Sequence, residues 1–300
     1  MGYDLDSIRG EYPFEPKTFS IGGLKMSYID EGPEDAPAIV MLHGNPTWSF
    51  YFRKLVFALR GKYRVIAPDH IGCGLSDKPQ DYDYTLATHI KNLTALLDHL
   101  SPGKVTLAMH DWGGAIGMGY AADHPEKVES LVIFNTSAFL SERIPFRINI
   151  LRIPGFGALM VRGLNAFARS AIYLRMATKR PERFTRVVRR GYLLPYDSWK
   201  NRIAVLQFVQ DIPMSASDRS YGRLKSIEEK LPLFQKTPSL VLWGKRDFCF
   251  NNEFLDGWLK RLKNTEAHMF EDAGHYVVED AHERIVPLME NFLERVYGES

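Results

Sequence analysis

The residues best placed by type and spacing to do chemistry lie in Val-Thr-Leu-Ala-Met-His-Asp-Trp-Gly-Gly, residues 105–114. This stretch reads as a short apolar strand that runs through a sharp turn into a helix starting near Ala115. Asp111 stands at the apex of the turn, in the pattern of a nucleophile elbow. The backbone after the apex must pass close to its neighbours, and Gly113 and Gly114 carry no Cβ to obstruct it. The esterase form of this pattern has serine at the apex, and the change to aspartate changes the chemistry, because a carboxylate needs no base to become a nucleophile. It can attack an sp³ or acyl carbon directly, leaving an ester or anhydride that must then be broken down. Alkyl halides, epoxides and strained lactones are substrates of that kind. The plainer alternative is that Asp111 only caps the following helix.

A covalent intermediate broken down by water needs a base. His275, in Glu-Asp-Ala-Gly-His at 271–275, follows the last predicted strand and is the candidate. The chain has nine histidines, so position counts for more than identity. His43 and His110 flank the same region as backbone-shaping residues. A working imidazole needs a carboxylate on its other nitrogen to hold the tautomer and stabilise the cation. Asp247, in Trp-Gly-Lys-Arg-Asp at 243–247, follows another predicted strand and supplies one; the alternative is an exposed loop residue paired with Arg246. The other loop that could carry the acid, Phe134-Asn135-Thr136-Ser137, holds no carboxylate.

Asn45 follows His43-Gly44 after the first predicted parallel strand, and Trp112 follows Asp111. An amide NH₂ and an indole N–H are a donor pair suited to a leaving anion such as a halide or a carboxylate. Trp48, Phe50, Tyr51 and Phe52 are expected to cover the sheet edge and wall the pocket, most of them as core.

These residues need elements to position them. A hairpin is predicted at 17–21 and 25–29 through Gly22-Gly23, then buried strands at 38–42, 64–68, 105–110, 130–134, 239–243 and 267–270 alternate with helical patterns. That alternation predicts an α/β fold: a mostly parallel central sheet with helices on both faces and a ligand site at the carboxyl edge of the strands. Between Ser137 and Met214 the strand signal stops, and amphipathic helix broken by Pro145, Pro154, Pro181 and Pro195 takes over. The expected organisation is a core at 1–136 and 215–300 with an inserted helical cap at 137–214.

The length of 300 residues suits one such core plus an insert. The apolar runs are strand-length, too short to cross a bilayer. The first residues have no basic and apolar leader pattern, and Asp6 stands where a myristoylation signal wants Ser or Thr, so a cytoplasmic location is expected. Cys73 and Cys249 fit no disulfide framework or metal spacing and are read as thiols. The absence of metal and phosphate-binding motifs predicts no cofactor and no metal. A net charge of +2 argues against nucleic acid as a partner.

The segments HGNPTWSF at 43–50, DHIGCGLSDKP at 69–79, MHDWGGAIG at 109–117, WGKRDFCF at 243–250 and DAGHYVVED at 272–280 together resemble the haloalkane dehalogenase-like branch of the α/β-hydrolases, over nearly the whole chain. With the acid at Asp247 and the variants HIGCGLSDKP and RDFCFNN, the chain is most similar to the third subfamily, which includes the olefin-biosynthesis β-lactone decarboxylases. The resemblance implies the α/β-hydrolase fold, attack by Asp111 on a cis-3,4-dialkyl β-lactone, and a long-chain cis-alkene plus carbon dioxide as products. It leaves haloalkane dehalogenation open, because Asn45 and Trp112 match the halide-binding pair of that activity. Epoxide hydrolases share the Asp elbow but typically carry an aromatic residue at the place of Asn45 and use cap tyrosines as acids; Tyr173, Tyr192 and Tyr196 are the candidates here. A non-catalytic binding or assembly role runs against the joint presence of Asp111, Asp247, His275, Asn45 and Trp112.

Charge is unevenly spread. Residues 138–214 carry fourteen Lys or Arg, Arg147, Arg162, Arg169 and Arg175 among them, against four Asp or Glu; that excess of ten leaves the rest of the chain at −8. Residues 148–152 and 156–164 interleave apolar side chains with arginines, as a surface docking on lipid or on an acidic protein does, although a solvated helix face has the same composition. The expected partners are a hydrophobic small-molecule substrate and, through the basic cap, a membrane surface or other enzymes of a hydrocarbon-synthesis pathway.

Overall fold

The computed structural model describes residues 3–174 and 176–298. Arg175, counted above among the cap cations, lies outside the described residues. Eight strands form one sheet: β1 Lys17–Ile21, β2 Leu24–Glu31, β3 Ala38–Leu42, β4 Arg64–Pro68, β5 Val105–Asp111, β6 Val128–Thr136, β7 Ser239–Gly244 and β8 Thr265–Phe270, in the order β1-β2-β4-β3-β5-β6-β7-β8. β1 and β2 pair antiparallel through Gly22 and Gly23, both at positive φ, and β2 also pairs antiparallel with β4. The strands from β4 to β8 run parallel.

β3 and β4 begin and end at their predicted bounds, because every residue in them is buried and a doubly covered strand reads as a near-continuous apolar run, broken in β4 only by Arg64 at its start. β8 starts two residues before its predicted bound. It is the edge strand, its burial alternates, and alternation hides its polar first residues from a search for apolar runs.

The helices are α1 Arg53–Leu59, α2 Leu86–Leu100, α3 Trp112–Asp123, α4 Phe146–Asn149, α5 Ala166–Tyr173, α6 Arg186–Leu193, α7 Ile203–Gln210, α8 Tyr221–Lys230, α9 Asn252–Arg261 and α10 Val277–Tyr297. Alternate residues of each strand feed two cores. Val40 and Leu42 join α2, α3, α8 and α9 on one face, while Ile39 and Met41 join α1 and α10 on the other. α3 is buried almost all round and packs closely through its glycines; a Cβ at Gly117 would collide with Met109 and Leu42.

Between β6 and β7 the chain leaves the sheet and, up to Met214, forms helices and turns with no strand among the described residues. This insertion has a small core of its own, in which Ile148, Leu151 and Val161 pack on Val205, Leu206 and Val209 of α7. Polar anchors fasten it to the sheet layer. Buried Arg53 pairs with buried Glu279, which also accepts from Tyr192 of α6 at 2.7 Å. Asp280 accepts from the backbone N–H groups of Lys179 and Arg180 and from the Thr178 hydroxyl. Trp48, Phe50, Tyr51 and Phe52 lie under this joint; Trp48 Nε1 donates to the Gly191 carbonyl at 3.0 Å, and none of the four walls the pocket described below.

Removing one partner of a buried ion pair strands the other charge. Glu279→Ala should therefore destabilise the protein by about 3–5 kcal/mol, read from the denaturant midpoint. A loss below about 1 kcal/mol, the range of an exposed pair, would contradict the anchoring role.

Candidate active site

β5 turns into α3 at Asp111, which has φ +53° and ψ −126°. A non-glycine residue held in so sparsely populated a region costs on the order of 1–3 kcal/mol and persists only where its surroundings over-determine it. They do so here. The Thr136 hydroxyl donates to the Asp111 carbonyl, and Gly44, Gly113 and Gly114 leave no room for a Cβ against Asp111, Leu42 and Thr136 respectively. Asp111 is buried, and its Oδ1 accepts the Asn45 backbone N–H at 2.6 Å. Burial raises the Asp111 pKa above the ordinary carboxylate value, while the charge of His275 and the backbone N–H groups of Asn45 and Trp112 oppose that rise.

His275, on the loop between β8 and α10, faces Asp111 with Nε2 3.6 Å from Oδ2. On its other side Nδ1 donates to Asp247 Oδ2 at 2.8 Å. The Asp247 side chain is fully buried, and its Oδ1 accepts the Cys249 N–H at 2.6 Å; Arg246 is exposed and is not its partner. Burial works against the His275 cation, yet the charges of Asp247 and Asp111 outweigh it and raise the pKa above the ordinary histidine value. His43, His70, His89 and His110 go the other way, held neutral chiefly by burial. The result is a carboxylate, an imidazole and a second carboxylate in line, able to attack, to take a proton from water and to stabilise the cation that forms.

Asn45 and Trp112 both line the pocket above Asp111. The amide of Asn45 is partly engaged: Nδ2 donates to the Val205 carbonyl of α7 at 3.0 Å, which leaves its second N–H, while the buried Oδ1 has no partner among the described residues. The Trp112 indole N–H has no acceptor among them. The remaining walls are mostly apolar, with Phe139, Ile148, Phe167, Val209 and Phe250 prominent, so the insertion supplies much of the roof. Two of the three tyrosines considered as acids are committed elsewhere: Tyr192 donates to Glu279, and Tyr196 donates to the Thr47 carbonyl. Tyr173 is half exposed and does not line this pocket.

Two positioning residues, Asn135 and Asp280, are not singled out by the sequence, whereas His110 is, as a backbone-shaping residue. Asn135 brackets Gly244, accepting its N–H at 2.7 Å and donating to its carbonyl at 3.0 Å, and so fixes the start of the Asp247 loop. The ring of His110 donates to the His275 carbonyl at 2.9 Å, and Asp280 accepts the Gly274 N–H at 2.7 Å. The signal available was a polar residue at a strand end for Asn135 and a carboxylate five residues beyond His275 for Asp280. The partner of each lies a whole strand or loop away.

The raised His275 pKa has a consequence for pH. The neutral imidazole, the form that takes a proton, is lost as pH falls through a value above the usual 6.5. An NMR titration of the His275 ring should show that raised pKa, and Asp247→Asn, which removes the main raising charge, should lower it. An unshifted ring in the Asp247 variant would detach the two residues.

A model of the alpha/beta hydrolase fold family matches residues 37–281. A cis-3-alkyl-4-alkyloxetan-2-one decarboxylase of Xanthomonas campestris pv. campestris is 45% identical, covering 95% of this chain and 97% of its own. One of the same name from Shewanella oneidensis is 45% identical, covering 94% and 89%. The crystal structure of the haloalkane dehalogenase DatA from Agrobacterium tumefaciens C58 matches with a TM-score of 0.80 at 27% identity, over 94% of this chain and 97% of that one. The chain belongs to the α/β-hydrolase family, in the branch that these decarboxylases share with the haloalkane dehalogenases.

Proposed function

We propose that the protein decarboxylates cis-3,4-dialkyl β-lactones to long-chain cis-alkenes and carbon dioxide, a step of olefin biosynthesis, with Asp111 as nucleophile. The observation that carries this reading is the near-full-length match to two decarboxylases, joined to a carboxylate at the floor of an apolar pocket.

The chemistry follows from the site. Asp111 displaces the ring oxygen at C4, so that a bond from C4 to the enzyme carboxylate forms as the ring C–O bond breaks and a carboxylate is released. The bond from that carboxylate to C3 then breaks, its electron pair forms the C3–C4 double bond, and the ester bond to Asp111 breaks to return the enzyme. No water is consumed. Inversion at C4 followed by anti elimination leaves the alkyl chains cis. Trp112 and the second N–H of Asn45 donate to the departing carboxylate. His275 with Asp247 gives the ester another fate, hydrolysis by a deprotonated water, whose product from the lactone is a β-hydroxy acid. The insertion serves as a cap over this chemistry.

Haloalkane dehalogenation is the second reading, favoured by the Asn45–Trp112 pair beside Asp111 and by the likeness to DatA. Gas chromatography after separate incubations with a long-chain cis-β-lactone and with bromoalkanes decides between the two. Alkene with little bromide supports decarboxylation; bromide and alcohol without alkene would move the assignment to the second reading. Asp111→Ala should lower turnover of either substrate by at least roughly 10³-fold, and retained activity would defeat both readings.

His275→Gln separates the fates of the ester. Given a bromoalkane, this variant should accumulate an alkylated protein visible by intact mass, because hydrolysis has lost its base. Given the lactone, it should still release alkene. A trapped lactone adduct without alkene would show that breakdown depends on the base and would rule out the water-free route.

A further inference from the structure

The insertion carries a feature that the chemistry does not use. Its first stretch buries Ile148, Leu151 and Val161 against α7 and so turns Phe146, Ile153, Phe156, Leu159 and Leu164 outward, the first 76% exposed and the others 41–59%. Trp199, 47% exposed, adjoins this layer with the Arg162 guanidinium over its ring at 4.6 Å. Around them stand Arg147, Arg162, Arg169 and Lys200, none of which has a carboxylate within 4.0 Å among the described residues, unlike Arg143, Arg152, Arg180, Arg183 and Arg190. Protruding aliphatic and aromatic tips flanked by unpaired cations, with a tryptophan among them, are the chemistry of an interfacial membrane surface. The pocket mouth borders it: Arg143, Ile144, Pro145 and Ile148 line the pocket, and Phe146 follows directly in the chain.

We propose that this face of the insertion seats the protein on an anionic lipid surface, so that an apolar substrate passes from the bilayer into the pocket along Pro145, Phe146 and Ile148 without crossing water. Charge complementarity specifies the lipid: the segment from 138 to 214 is +10 by sequence, and although arginines such as Arg152 and Arg180 are matched by carboxylates outside it, the cations around the apolar tips are not matched among the described residues. Contact is peripheral, since no described helix is long and apolar enough to cross a membrane. The substrate route rests on the lactone reading, but the lipid contact does not.

The test is co-sedimentation of the full chain with vesicles of phosphatidylcholine alone and of phosphatidylcholine mixed with phosphatidylglycerol, at low and physiological salt. Partition onto the mixed vesicles only, weakened by salt, is expected. Arg147→Gln with Lys200→Gln should reduce it roughly 25-fold, at roughly fivefold per cation. Phe146→Ser with Leu159→Ser should reduce it too, while Leu233→Ser, an exposed apolar residue on the sheet layer, leaves it unchanged. Unfolding midpoints matched to the parent keep each loss attributable to the surface. No partition onto anionic vesicles, or partition indifferent to both double variants, overturns the proposal. So does a dimer seen by sedimentation velocity that the same substitutions dissociate, since the face would then belong to a second copy. Vesicle binding involves no turnover, so its outcome stands whichever substrate proves right.

Discussion

Burial of the Asp111 carboxylate is the constraint around which the rest of the site is organised. A carboxylate taken out of water tends to neutralise, and a protonated Asp111 would be no nucleophile. Burial still leaves its pKa above the ordinary carboxylate value, and one imidazole and two backbone N–H groups work against that rise. The imidazole is set by Asp247, Asp247 by the Cys249 N–H, and the loop carrying both by Asn135 on β6. The apex of the elbow must also lie within reach of the β3–α1 loop, which is possible because Gly44 and Gly113 present no Cβ there. A parallel sheet delivers all of these loops to one edge, so the topology answers to the electrostatics of a single side chain.

Much of the architecture was legible in the sequence because it is written in short-range patterns. β3 is an unbroken apolar run, β4 is one after Arg64, β5 is mostly apolar up to Met109, and the elbow, the Asn45 loop and the His275 loop each combine a distinctive residue with glycine at a strand end. What sequence could not supply were the partners across space. The aromatic run at 48–52 looks like pocket wall by composition, yet the chain turns it beneath α6, where Trp48 meets Gly191. Tyr192 and Tyr196 look like acids for an epoxide oxygen until Glu279 and the Thr47 carbonyl are found at their hydroxyls. Asn45 reads as an anion donor, and only the fold reveals that one of its N–H bonds is spent on α7.

That last contact joins the two layers at the chemical centre. Asn45 touches Asp111 through its backbone and Val205 through its side chain, so the position of α7 and the geometry of the nucleophile are coupled through one residue. Glu279 and Asp280, four and five residues beyond His275, fasten the same insertion to the loop that carries the imidazole. The insertion is therefore bound to both ends of the carboxylate–imidazole pair, and a shift in it moves the reacting groups.

On the proposed chemistry this coupling decides the product. An ester on Asp111 has two exits: loss of carbon dioxide, which needs no other molecule, and hydrolysis, which needs a water beside His275. On that chemistry the pocket walls, Ile148, Phe167 and Val209 from the insertion and Phe250 stacked on the His275 ring, both receive the alkyl chains and keep that water out. A filled pocket thus favours the water-free exit, and a short or poorly fitting substrate favours hydrolysis. On the proposed chemistry, the choice between a lyase and a hydrolase in this scaffold then turns on whether the substrate's own chains complete the apolar wall.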